Sequence, residues 1–184
     1  MPVRTDLSQY NNSWYKPGAG MAVRVLWYFV NRIFFISYFP FSSVKKTLLV
    51  LFGAGVGRGV VVKPHLNIKY PWRLTIGNNC WIGEGVWIDN LDDVVIGDNC
   101  CLSQGAMLLS GNHNYKKSTF DLMTAKIVLE EGVWIGAKAM VCGGTVCRSH
   151  SVLTAGSVTA DSLEPYSVYQ GNPAVKIKDR EISA

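Results

Sequence analysis

Acidic residues are scarce in this chain, 13 against 18 lysines and arginines, and histidine occurs only three times. Charged residues make up only 17%, too few for a disordered chain, while the apolar 48% is ample for a packed core. The net charge of +5 and a pI near 9.0 favour an anionic partner: nucleic acid, a phosphate-bearing small molecule or a membrane surface. No dense Lys/Arg run and no zinc-finger or RNA-binding signature is present, which ranks nucleic acid below a phosphorylated small molecule. A secretory signal is missing too: MPVRTDLSQYNNSWYKPG has neither an apolar core nor a small-residue cleavage site. The expected location is therefore the cytoplasm, and the sequon Asn11-Asn12-Ser13 carries no meaning there. There is no CxxC pair, and the odd set Cys80, Cys100, Cys101, Cys142 and Cys147 argues against a disulfide framework. These cysteines are expected as small buried hydrophobes in a reducing compartment. The three histidines, at 65, 113 and 150, lie too far apart to assemble a metal site readily, and none is expected.

At 184 residues the chain fits one domain. Within it the aliphatic residues recur every six: Val56, Val62, Ile68 and Leu74. After a two-residue step the series restarts at Ile76, Ile82, Ile88 and Val94, and again at Ile96, Leu102 and Leu108. It resumes in a new phase at Leu129, Ile135, Val141, Cys147, Leu153 and Thr159. Four residues after the aliphatic position stands a small or β-branched side chain, as at Cys80, Val86, Cys100, Ala106, Val133, Ala139, Thr145, Ser151 and Ser157. Glycine follows it directly at positions 57, 77, 83, 97 and 136.

A period of six fits neither the 3.6 of a helix nor the 2 of a strand. It fits a triangular solenoid in which each face points one aliphatic side chain inward, with stacked coils pairing parallel strands around a continuous column. The glycines are expected at corners that need positive φ, and the two-residue steps as bulged corners.

The stretches IGNNCWIGEGVWI, IGDNCCL and GVWIGAKAMVCGGTV resemble the hexapeptide-repeat proteins, over about residues 53–178. Within that family the resemblance is to acetyltransferases of exopolysaccharide synthesis, of the colanic acid type. It is carried by KYPWRLTIGNNCWIGEGVWIDNLDDVVIG and TFDLMTAKIVLEEGVWIGA. It implies an all-β, left-handed parallel β-helix, assembled as a homotrimer with sites between subunits. It implies acetyl-CoA as co-substrate and a saccharide hydroxyl as acceptor, without nucleic acid or metal. The boundaries then read as an extension and helical cap over 1–52, the β-helix over 53–164 and a tail over 165–184.

Between Leu108 and Leu129 the repeat breaks, and residues 110–127 read as a loop thrown out from the prism, long enough to reach a neighbouring molecule. The resemblance makes His113, in GNHNY, the general base of transfer. It assigns Trp134, Ala137, Thr154 and Ala155 to the pantetheine arm, and Lys178, with Lys176 in reserve, to the nucleotide phosphates. Ala160 stands where some relatives carry a hydroxyl, which weakens one phosphate-side contact. For the acceptor, aromatic residues beside carboxylates suit a sugar, which singles out Trp81, Asp89 and Asn90, with Asn112 and Tyr115 from the loop. Residues 21–52 are dense in aromatics. Val44, Leu48 and Leu51 share one face of an expected short helix ended by Gly53. The segment is expected to cap the open prism, with a surface-lying helix against lipid as the rival. Two other functions stay open: a non-catalytic hexapeptide scaffold, and acetylation of another small acceptor such as an antibiotic or amino sugar. A metal-dependent carbonic-anhydrase relative ranks last.

Overall fold

The computed structural model describes residues 3–183. Short parallel strands stack into three faces of a prism. The first face stacks Gly55–Val56, Leu74–Ile76, Val94–Ile96, Ile127–Leu129 and Val146–Cys147. The second stacks Val61–Val62, Trp81–Ile82, Cys101–Leu102, Trp134–Ile135 and Val152–Leu153. The third stacks Asn67–Ile68, Trp87–Asp89, Met107–Leu109, Met140–Cys142 and Val158–Thr159. The second face continues beyond the fifth coil with Ser167–Gly171, parallel to Val152–Leu153, and the antiparallel Ala174–Asp179.

The six-residue repeat is the core. Every residue of the series is buried except Val56, at the open end, and so are all nine small residues four positions later. Three of the five free thiols, Cys80, Cys100 and Cys147, are buried as expected, while Cys101 and Cys142 are half-buried on the outer surface. Burial drives the Cys147 thiol up to about 12, leaving it an inert packing group.

Two corner expectations are corrected. The glycines at 57, 77, 83, 97 and 136 are absent from the residues with positive φ. They are needed because the next coil passes against them: a Cβ on Gly136 would lie 2.5 Å from the Ala155 nitrogen, and one on Gly83 2.7 Å from the Leu102 oxygen. Positive φ occurs two residues later, at Gly59, Asn79, Gly85, Asn99, Gly105, Lys138 and their equivalents, among them His65 and His150. The two-residue steps are not bulged corners either. Leu74 and Ile76, like Val94 and Ile96, are alternate residues of one first-face strand, and both point inward.

Two helices cover the first coil: α1 (Met21–Val30), continued by a π turn over Asn31–Phe35, and α2 (Ser42–Leu51). Trp27, Phe35 and Leu49 are buried in one cluster with Val60, Val62, Leu66 and Ile68. The Trp27 Nε1 donates to the Ile68 oxygen at 2.8 Å, and Asn31 to Asn67 at 2.9 Å. In α2 the buried face is Lys45 and Leu49, whereas Val44 and Leu51 are exposed. Lys45 enters the interior because its Nζ donates to the Lys63 oxygen at 2.8 Å; burial lowers its pKa. The outward side of α1 stays apolar and uncovered, with Val25, Leu26, Tyr28, Phe29 and Ile33 exposed. No helix among the described residues is long and apolar enough to cross a membrane.

Candidate active site

The expected loop is a β-hairpin inserted at the corner between the third and first faces. Gly111–His113 pairs antiparallel with Leu122–Thr124, placing His113 opposite Leu122. Its base is held by the buried Ser110, whose hydroxyl donates to the Asp89 oxygen at 3.1 Å and accepts from the Asp92 N–H at 2.8 Å. The half-buried His113 ring stacks on Phe120, with centroids 4.4 Å apart and planes 7° apart. Its Nδ1 lies 2.9 Å from the Phe120 carbonyl oxygen. A carbonyl only accepts, so the neutral imidazole carries its proton on Nδ1 and keeps a lone pair on Nε2. Phe120 reaches this position with φ of 52°, a conformation uncommon for an aromatic residue. Asn112 accepts from the His113 N–H at 2.8 Å and orders the strand, while Tyr115 is exposed at the tip.

A strap made of the N-terminal residues crosses to this hairpin. The Asp6 N–H donates to the Ser118 oxygen at 2.8 Å, and the Tyr10 ring stands 5.8 Å from that of His113. Tyr15 donates its hydroxyl to the Leu91 oxygen at 2.8 Å, and burial pushes its pKa up to about 12. Farther along, the Trp72 Nε1 donates to the Pro17 oxygen at 2.7 Å.

The residues assigned to the donor gather elsewhere. Trp134, Thr154 and Lys178 line one cavity of 770 Å³ on the second face, with Ile177 and Arg180. Ala137 and Ala155 are at the adjoining corner, where the Gly156 N–H donates to the Ala137 oxygen at 2.8 Å. Lys176 is turned away and engaged by Glu164 at 2.8 Å and Asp179 at 2.9 Å, whereas Lys178 makes no ion pair among the described residues. Arg180, which sequence reasoning passed over, holds the cavity's rim by donating to the Gly132 and His150 oxygens, each at 3.0 Å.

The expected acceptor residues are not brought together. Trp81 is in register with Cys101 and Trp134 on the second face, and the two tryptophans share a cavity of 560 Å³. There Trp134 is fixed by donating its Nε1 to Ser103 at 2.9 Å. Asn90 is fully buried; its amide accepts from the Tyr70 N–H at 2.9 Å and donates to the Tyr70 oxygen at 2.6 Å. Asn112 and Tyr115 belong to the hairpin, and Asp89 stands at its base, ion-paired to Lys69 at 2.9 Å. The three histidines occupy separate places: His65 beside Tyr38, His113 on Phe120 and His150 beside Tyr166. Among the described residues no three His, Cys, Asp or Glu side chains gather as metal ligands.

In a triangular prism, the corner bearing His113 is opposite the second face bearing Trp134 and Lys178. The two candidate half-sites of one chain, the hairpin and the second-face cavity, therefore point apart.

No protein-family model matches the chain. It is 32% identical over 176 residues to WcaF of Escherichia coli (strain K12), described as a colanic acid biosynthesis acetyltransferase, covering 95% of this chain and 97% of that protein. The galactoside O-acetyltransferase of Escherichia coli (strain K12) is 27% identical over 143 residues, covering 75% of this chain and 70% of that one. Among solved structures, a hexapeptide-repeat acetyltransferase of Vibrio cholerae O1 biovar eltor, complexed with acetyl-coenzyme A, superposes with a TM-score of 0.78. It shares 20% identity and covers 88% of each chain. The prism is the left-handed parallel β-helix of hexapeptide repeats, with short helices at its N-terminal end. The chain belongs to the hexapeptide-repeat acetyltransferases of the colanic acid biosynthesis type, and is an acyltransferase.

Proposed function

We propose that the protein transfers acetyl from acetyl-CoA to a saccharide hydroxyl during capsule or exopolysaccharide assembly, with His113 as general base. The observation that carries this reading is the bond from His113 Nδ1 to the Phe120 carbonyl, which leaves Nε2 as the acceptor of a proton. The acceptor hydroxyl loses its proton to Nε2 as its oxygen bonds to the thioester carbon. The tetrahedral intermediate then collapses, the carbon–sulfur bond breaks, and the proton on Nε2 passes to the departing thiolate. A backbone N–H beside the thioester would steady the oxyanion. The long, anionic donor suits the groove past Trp134 and Thr154, with Lys178 and Arg180 beside its phosphates.

Because the two half-sites diverge within one chain, the second face of a neighbouring copy would have to meet the hairpin. That geometry supports a homotrimer with sites between subunits. It also weighs against a scaffold role, since a scaffold has no use for an oriented imidazole. The cytoplasm supplies the donor and is the proposed location.

A second reading concerns the cap. From Leu7 to Gly83 the chain has no acidic residue and nine basic ones: Lys16, Arg24, Arg32, Lys45, Lys46, Arg58, Lys63, Lys69 and Arg73. With the uncovered apolar side of α1, this favours peripheral contact with an anionic membrane surface.

His113→Ala tests the main reading. Turnover should fall by roughly 10²–10⁴-fold while acetyl-CoA still binds. Turnover within a factor of about two of the parent protein would remove His113 from the chemistry.

A further inference from the structure

Two cavities meet beside the hairpin, in a region to which the resemblance assigns nothing. One, of 550 Å³ and open to solvent, is lined by the strap residues Tyr10, Asn12 and Tyr15, by Tyr70, and by Leu122 of the hairpin. The other, of 420 Å³, lies between the cap and the third face and is lined by Tyr28, Ile36, Trp87 and Asp89. Arg24, Lys69 and Tyr70 line both. The first cavity has the composition of a sugar site: aromatic walls and an amide, next to the pair Leu122 and His113.

Arg24 is the unexplained group at the junction. Its Nε is shielded from solvent and has no hydrogen-bond partner. Its single polar side-chain contact among the described residues is a 3.5 Å approach of one guanidinium nitrogen to the Met21 sulfur. The cap has no acidic residue to neutralise it, and neither has the strap beyond Asp6, whose carboxylate is engaged by Ser8, because none exists between Leu7 and Gly83. Asp89 of the prism, which lines the second cavity with Arg24, is taken by Lys69 at 2.9 Å. An Nε–H withheld from water without an acceptor costs desolvation that an anion bonded to the guanidinium would offset through charge-assisted bonds. A phosphate esterified on both sides joins two parts of one molecule through a single anionic group, which suits an arginine that lines two adjoining cavities.

We infer that Arg24 is the anion subsite of the acceptor: the substrate is a saccharide joined through a phosphate ester to a second group. The saccharide sits between the tyrosines beside His113, the phosphate bonds to Arg24, and the attached group extends into the cavity under the cap. This rests on the acetyltransferase reading of His113 for its purpose, but not for its test.

Calorimetric titration of the full-length protein, with its donor site filled by saturating CoA, separates the two. The probes are α-glucose 1-phosphate and methyl α-glucoside. The phosphate should bind and the neutral glycoside should bind at least about tenfold more weakly, as a charge-assisted bond requires. Arg24→Gln should weaken glucose 1-phosphate by about tenfold or more, Arg24→Lys by less, and Arg58→Gln, far from the junction, should have no effect. Unaltered melting of Arg24→Gln, with unaltered CoA affinity, would show that the fold is intact. If Arg24→Gln melts early, the comparison of Arg24→Lys with the parent protein decides instead. Equal binding of the two probes to the parent protein, no binding of either, or glucose 1-phosphate bound equally by all variants would overturn the inference. If the phosphate probe fails while His113→Ala is inactive, the subsite falls and the acetyltransferase reading stands. The reverse pattern leaves the subsite and removes His113.

Discussion

A fully buried side-chain amide has to satisfy its donor and its acceptor inside the protein, and Asn90 spends both on the backbone of Tyr70. Asn90→Ala would leave the Tyr70 N–H unpaired, at a cost of about 1–3 kcal/mol, while the Tyr70 oxygen still accepts from the Arg73 N–H at 3.0 Å. Urea unfolding should therefore show a loss of about 1–3 kcal/mol, with acetyl-CoA affinity unchanged. A variant of parental stability that has lost acceptor turnover would instead return Asn90 to the acceptor. The neighbouring Asp89 differs because its carboxylate is partly exposed and paired with Lys69 at 2.9 Å, so its removal should barely alter stability.

Glycine serves two different purposes in the solenoid, and mutation separates them. Gly136 faces the backbone of the next coil, where a Cβ would meet the Ala155 nitrogen at 2.5 Å and the Thr154 carbonyl carbon at 2.7 Å. Neither coil can yield without disturbing its strand pairing, so Gly136→Ala should cost about 1–3 kcal/mol or more. Gly105 has φ of 66°, and a Cβ there would make an ordinary contact with the Lys138 side chain, whose Cγ would lie at 3.4 Å. Gly105→Ala should therefore cost only the left-handed strain, about 1–2 kcal/mol. Equal and small losses in thermal melting would mean that the coils are not held at this spacing. The spacing of six identified the inward positions because burial acts directly on side-chain type. It did not identify the corner residues that carry positive φ: lysine and histidine at Lys138, His65 and His150 carry no such mark in a sequence. The hairpin was legible as a break in phase and His113 by family likeness. The Phe120 carbonyl was not legible, because a backbone acceptor has no sequence signature. The approach of Tyr10 to His113 and the place of Arg24 between two cavities were not legible either, because contacts between a strap, a cap and a distant hairpin leave no local pattern.

On the scale of the whole molecule, charge is distributed along the prism axis. The segment from Leu7 to Gly83 carries nine basic residues and no acidic one, while the remainder holds nine basic residues and all 13 acidic ones. The basic half contains the cap and the first coil, and the cap presents Val25, Leu26, Phe29 and Ile33 outward beside Arg32. Trp27 and Phe35 point the other way and are satisfied in the core, so the helices cap the prism and expose an apolar side at the same time. Each basic residue near an anionic surface adds about 1 kcal/mol of attraction, screened within about 10 Å at 0.1 M salt. The protein should therefore co-sediment with phosphatidylglycerol-containing vesicles at low salt and be released as salt rises. Neutral phosphatidylcholine vesicles should retain little of it. Phe29→Glu should weaken the low-salt binding, because it puts a carboxylate on the apolar side without touching the buried face of α1. If low-salt vesicles recover no protein, the apolar side of α1 belongs to another contact, such as one between subunits. If binding survives high salt, the aromatic side chains insert far enough for apolar burial to outweigh the charges.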